Sequence, residues 1–382
     1  MRHHKYNLDF KFVKEPEAFD KYSDKEFLSY CLGATMYMPG TKDFSSKIIN
    51  QEMPGLTSMV FCFEDACPEG QVEEAEKNVL HVLDVLANAL DDGKLTYEDL
   101  PLIFCRVRSQ EQFIRFGEQL THHHAKALTG INFPKFNAHN GEVYMFYLKQ
   151  LNEKLGEILY GMPIIEDSEV AFKETRMTEL MGIKAILDKY KDLVLEVRVG
   201  ATDFSSYFGV RRGVDYSIYD ILTVREILSD IINVFGRNNE YVISGPVWEY
   251  FRASKEMMFK ALPEYSVEDC VLKRIPIINT EIDGLLREII LDKANGFVGR
   301  TIIHPTHIKY VNALNAVTEE EYTDAVNILN SGTGGVFKGN GGNKMNEVKP
   351  HTNWARKVYM KARAYGVVEN ERSYFELFAA ED

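Results

Sequence analysis

Three carboxylates occupy equivalent places in this 382-residue sequence. Glu64, Glu166 and Asp203 each sit just past a short apolar run that reads as a buried strand, and Arg106, Lys135 and His304 stand at the ends of three more such runs. Carboxylate oxygens beside small residues suit Mg2+, which keeps waters and takes one or two carboxylates together with substrate oxygens. Glu166 and Asp203, at the exits of consecutive strands, are the expected metal pair. An arginine at the same rim can grip a carboxylate or phosphate bidentately. Arg106 is the expected clamp, and Arg108, two residues on, shares its side if the strand continues. Each residue also has a bland reading, Asp203 as a helix N-cap and Arg106 as a structural partner of Glu64. Lys135, after the run 130–134, has the chemistry of a Schiff-base lysine. Beside a metal pair, a structural ion pair or a substrate contact is its expected role.

Ionisable residues at one strand exit after another need a scaffold that sends every strand the same way. Eight short apolar runs answer to this: 34–38, 58–63, 102–105, 130–133, 162–165, 195–199, 241–244 and 301–303. Several are apolar throughout, as strands covered on both faces should be. Helical spacing of apolar residues fills 72–89, 111–128, 143–160 and 218–235 between them. The alternation predicts an α/β fold with parallel strands, and eight units favour a closed (β/α)8 TIM barrel, with the active site at the strand exits. Residues 1–30 read as a polar, helical N-terminal extension. The barrel is expected over 31–315, with an insertion at about 251–279 that holds its own helix. Residues 316–382 read as a C-terminal helical arm or lid, with helices over 317–329 and 353–365 joined by the glycine-rich stretch 331–343. That stretch lacks the spacing of a phosphate loop.

The formal net charge of −13 argues against nucleic acid as a partner, because phosphate binding needs concentrated Lys and Arg. The clearest short basic run is Arg211-Arg212. Five cysteines, an odd number without a C-x-x-C pair, fit free thiols in a reducing cytoplasm. No apolar run approaches the ~18 residues of a membrane span, and the charged N-terminus predicts no secretory signal. His122, His123 and His124 point about 100° apart on a helix, so they cannot chelate one ion together and read as a solvated face. His3-His4 carries no reading beyond its position.

Taken in order, these residues resemble the citrate lyase β-subunit-like branch of the aldolase/citrate lyase superfamily, which includes malyl-CoA lyases. The resemblance runs from about Gly33 to Val367. It rests on Tyr37-Met38-Pro39-Gly40, on Cys62-Phe63-Glu64-Asp65 (Cys62 where the family has Asp), on Arg106, on Phe133-Pro134-Lys135, on Glu166 and on Gly200-Ala201-Thr202-Asp203. It continues through Gly209 to Arg212, Ile282 to Leu285, Gly296 to Pro305 and Lys344-Met345-Asn346-Glu347. The resemblance implies Mg2+-dependent (or Mn2+-dependent) making or breaking of a carbon–carbon bond in a small 2-oxo or 2-hydroxy acid, or its coenzyme A thioester, through a metal-stabilised enolate. It implies Glu166 and Asp203 as metal ligands, Arg106 as substrate clamp, and Glu64 as the residue that orients Arg106 or a metal-bound water; Lys135, and Arg108 where the family often has Asn, are the further expected substrate contacts. It also implies that Glu347, or a base the sequence does not identify, moves a proton, Glu347 doing so in a neighbouring subunit of a trimer or hexamer. Two rivals stand beside it. One is a metabolite-binding barrel without catalysis, suggested by Glu347 and Cys62. The other is a barrel enzyme for a phosphorylated substrate held by Arg211 or Arg212.

Overall fold

The computed structural model describes residues 1–252, 265–331, 335–339, 342 and 345–378. Seven parallel strands form the central sheet: β1 (Ala34–Pro39), β2 (Ser58–Cys62), β3 (Leu102–Arg106), β4 (Leu128–Phe133), β5 (Tyr160–Ile165), β6 (Arg198–Val199) and β7 (Arg300–Ile302), in the order β6-β5-β4-β3-β2-β1-β7. The predicted strand 241–244 forms no ladder of its own, yet it links the two open edges. Val197 bridges Ile243, and Gly245 bridges Arg300. The Ser244 N–H donates to Val197 O at 2.9 Å, and the Val298 N–H donates to Ile243 O at 2.9 Å. The ring therefore closes through a short bridge, and the eight-fold reading holds.

The helices cover the outside because their apolar residues recur every three to four positions. The helix Val72–Asp91 buries Val79, Val82, Leu83 and Leu86 in this way. The predicted helix 111–128 is instead two, Gln110–Gln119 and His122–Ala127, because Leu120 turns extended and the Thr121 side chain caps the second. This corrects the reading of the three histidines. His124 is buried, with Nε2 2.9 Å from Asp84, and His122 Nδ1 lies 2.9 Å from Leu155 O.

The N-terminal extension is also different from its expectation. Only Lys25–Tyr30 is helical within it. His3 and His4 are fully buried at the end of the barrel where the strands begin: His3 Nε2 sits 3.0 Å from Cys31 O and His4 Nε2 2.9 Å from Tyr365 O. Burial pushes the His4 imidazole down to about 4.

Four short strands complete the C-terminal part: β8 (Val317–Thr318), β9 (Val336–Lys338), β10 (Met345–Glu347) and β11 (Val367–Val368). β8 pairs with β11, β9 pairs with β10, and the helices Glu319–Asn330 and Val348–Tyr365 pack on one another. Of the predicted insertion, the helix Val267–Leu272 is seen. Residues 253–264, much of the glycine stretch (332–334, 340, 341 and 343) and Lys344 lie outside the described residues. Among the described residues no helix is long and apolar enough to cross a membrane.

Candidate active site

Parallel strands release their last residues at one end, and the predicted residues gather there. Glu64 lies two residues beyond β2, Arg106 ends β3, Lys135 follows β4 by two residues, and Glu166 follows β5 directly. Glu166 is 2% exposed. Its Oε1 accepts from Arg106 Nη2 at 3.1 Å and from the Lys135 backbone N–H at 3.0 Å. Lys135 adopts φ +45°, a left-handed conformation uncommon outside glycine. Such strain persists where surrounding contacts over-determine it, as functional sites often do. Lys135 Nζ is 2.6 Å from Glu64 Oε1, Arg106 Nη2 contacts Glu64 Oε2, and Arg106 Nη1 meets Asp65 Oδ2 at 3.1 Å.

The other Glu166 oxygen, Oε2, faces Gly200, where an added Cβ would lie 2.1 Å from it. Only glycine fits there. Asp203 stands in the first turn of the helix Ala201–Tyr207 that begins at the next residue, and it is half-buried. Burial raises the Glu166 carboxyl, Arg106 opposes that rise, and Asp203 and Glu64 add to it, which leaves it at about 7. For Arg106, burial disfavours the charge, but Glu166 and Glu64 outweigh it and hold the guanidinium well above its ordinary value. The Lys135 ammonium is held up in the same way, burial being outweighed chiefly by Glu64.

These residues fit a divalent cation. Among the described residues no three His, Cys, Asp or Glu side chains form a ready ligand set, but Mg2+ needs only one or two carboxylates besides waters and substrate. A carboxyl raised chiefly by burial, with Asp203 and Glu64 beside it, is a place where a cation would relieve the cost of the charged form. Glu166 and Asp203 would hold the ion.

The remaining predicted residues lie elsewhere. Arg108 donates to Phe63 O at 3.3 Å and to Cys67 O at 3.4 Å, so it braces the loop that carries Glu64 and Asp65. Arg212 is buried, ion-paired to Glu288, bonded to Val247 O and laid over the Trp248 ring at 4.9 Å. Its two terminal nitrogens are thus committed to Glu288 and Val247, while Arg211 beside it is exposed, 3.8 Å from Glu249. His304 caps the turn after β7 and stacks on Phe251 at 4.3 Å. Glu347 is exposed at the end of β10, and the helix it precedes is tied through Asn353 to Asn238 and Asn239, just before the 241–245 bridge. That is the end of the barrel opposite the cluster, so a single chain does not bring Glu347 to it. Asp65 and Gly200 had no assigned role in the sequence reading. Asp65 adjoins Glu64, but its bond to Arg106 depends on the loop's path.

A family model described as C–C bond lyase of the TIM-barrel fold matches residues 26–367. Among solved structures, the protein CitE of Mycobacterium tuberculosis in complex with magnesium, acetoacetate and coenzyme A superposes with a TM-score of 0.51 at 17% identity, over 87% of this chain and 99% of that one. A Haloferax volcanii malate synthase in a magnesium/glyoxylate complex gives 0.49 at 12% identity, over 73% of this chain and 74% of that one. At 17% identity the likeness to the M. tuberculosis protein is one of fold. No curated protein matches the sequence.

Proposed function

The chain belongs to the C–C bond lyases of the TIM-barrel fold, and on that footing we propose that it makes or breaks a carbon–carbon bond beside the carbonyl of a small 2-oxo or 2-hydroxy acid, free or as a coenzyme A thioester. The observation that carries this reading is the buried Glu166 carboxylate at the exit of β5, accepting from Arg106 Nη2 and the Lys135 N–H, with Asp203 and Glu64 as acidic neighbours. Mg2+, or Mn2+ in its place, held by Glu166 and Asp203, would supply positive charge where oxygen-centred charge develops. The M. tuberculosis protein of similar fold, seen with magnesium, acetoacetate and coenzyme A, supports that ligand class.

Arg106 binds the substrate carboxylate. Of its three acidic partners Asp65 is the exposed one, its side chain 65% accessible, so the Asp65 position on Nη1 is the one a substrate would take. Glu64 fixes the guanidinium and the Lys135 ammonium, and Lys135, half exposed at the mouth, contacts the substrate. Glu347 moves the proton from a neighbouring copy, which fits its place far from its own chain's cluster and calls for a homo-oligomer, a trimer or hexamer. Of the two arginines named for the phosphorylated-substrate rival, Arg212 is committed to Glu288, while Arg211 stays exposed, 3.8 Å from Glu249.

Calorimetry with pyruvate, oxaloacetate, glyoxylate and acetyl-CoA, with and without Mg2+, tests this. An oxo acid should bind wild type only with Mg2+, and Glu166→Ala should abolish the binding. Mg2+-independent binding, or binding that survives in the variant, would overturn the reading.

A further inference from the structure

The interior of a TIM barrel is ordinarily filled by branched apolar side chains, but beneath this cluster it is polar. Tyr37 reaches from β1 across to β4 and β6: its hydroxyl accepts from Asn132 Nδ2 at 2.7 Å, and its ring lies 5.7 Å from the Arg198 guanidinium. Only an inward side chain can span strands that are not its neighbours. Arg198 is held by Glu196 at 2.5 Å and Thr301 Oγ1 at 2.7 Å. Arg106 and Asn132 are register partners on β3 and β4, so their side chains leave the sheet on one side, next to each other.

Two atoms in this throat have no hydrogen-bond partner among the described residues, the donor Arg106 Nε and the acceptor Asn132 Oδ1. Both residues are more than nine-tenths buried. The Tyr37 hydroxyl uses a lone pair towards Asn132, which leaves its proton free to donate. Tyr37 and Pro39 are the residues of β1 that keep partial exposure. Native structures seldom leave buried donors and acceptors unpaired, and these two belong to register partners. The group that satisfies both is one that donates and accepts at once, a hydroxyl.

We propose that Tyr37, Asn132 and Arg106 Nε form the floor of the substrate site and bind a hydroxyl on the carbon beyond the oxo group, so that the substrate is a hydroxylated 2-oxo acid. The inference rests on the lyase reading above. Arg106 joins the two levels: its terminal nitrogens face the carboxylates of the rim, and its Nε faces the throat. Asn132 and Tyr37 are positioning residues for specificity, while bond-making chemistry stays at the rim.

Calorimetry on the full chain with Mg2+ should compare pyruvate with 3-hydroxypyruvate in wild type, Asn132→Leu and Tyr37→Phe. Wild type should bind hydroxypyruvate about tenfold or more tighter, the scale of one buried hydrogen-bonding group left unpaired by the other acid. The ratio should fall to about one in Asn132→Leu and shrink in Tyr37→Phe. Because the readout is a ratio, a general loss of binding does not mimic it. Equal wild-type affinities, as expected if only water fills the floor, would overturn the proposal and leave the lyase reading intact. A preference that survives both substitutions would overturn it too. Failure of both acids to bind would overturn the lyase reading and this inference with it.

Discussion

Two buried ionic clusters share this barrel, and they end differently. At the strand exits, Glu64, Asp65, Glu166 and Asp203 surround Arg106 and Lys135, so four carboxylates face two cations, and the cluster opens through half-exposed Lys135 and exposed Asp65. Further round, buried Glu288 and Asp292 face buried Arg212 and Arg300, two against two, with Glu249 and exposed Arg211 at the edge. Glu288 is fully buried and accepts from Arg300 at 2.6 Å and from the Ile218 N–H at 2.6 Å. Arg300 donates to Pro246 O at 2.8 Å, and the Tyr219 hydroxyl donates to Asp292 at 2.7 Å. The second cluster balances its charges and is tied to backbone at Val247, Ile218 and Pro246, as a strut would be. The first carries surplus negative charge and an open side, as the proposed site requires.

That contrast can be broken at either end. Glu288→Ala strands two buried arginines and should cost about 3–5 kcal/mol of stability, read by urea denaturation; a loss below about 1 kcal/mol would mean the closed cluster is no strut. Glu166→Gln should leave stability within about 1 kcal/mol, since Arg106 keeps Glu64 and Asp65. It should weaken Mg2+ about 100-fold by calorimetry, at least what loss of an indirect partner costs. Unchanged Mg2+ affinity would remove the metal from the open cluster.

His4 offers a third kind of buried ionisable group, one without a counter-ion. Its folded value lies below the unfolded 6.5, so the unfolded chain takes up the proton first. The contribution is complete above pH 6.5 and is lost as pH falls towards about 4. At pH 5 wild type should have lost about 2 kcal/mol relative to His4→Gln, compared with the same pair at pH 7. Parallel pH profiles for the two proteins would show that His4 is not buried neutral. Gly200→Ala has the smallest expected effect. Its Cβ displaces Glu166 Oε2 and should weaken Mg2+ about tenfold, with far less destabilisation than Glu288→Ala. A variant that binds Mg2+ like wild type would show that Glu166 Oε2 is not the liganding oxygen.

Much of this site was legible without coordinates, because a strand's apolar run and the residue that ends it are local features. Glu64, Arg106, Lys135 and Glu166 were picked out on that ground, and the structure gathers them. Other readings failed where the answer depended on distant chain. The strand expected at 241–244 is a bridge, since its length is set by the two edges it must join. The histidines at 3, 4 and 124 are buried because other segments cover them, which no local pattern records.

The sequence by itself determined the alternation of strand and helix, the barrel and the acids and bases at its rim, because side-chain periodicity and strand exits are fixed within a few residues. Only the tertiary structure decided which acids Arg106 binds, that Arg212 is locked to Glu288 rather than free, that Arg108 braces a loop, that Glu347 lies at the far end from its own cluster, and that Tyr37 meets Asn132 across the barrel. Each of those depends on strand register and on the curvature that brings non-neighbouring strands face to face, and neither is written in any one stretch of chain.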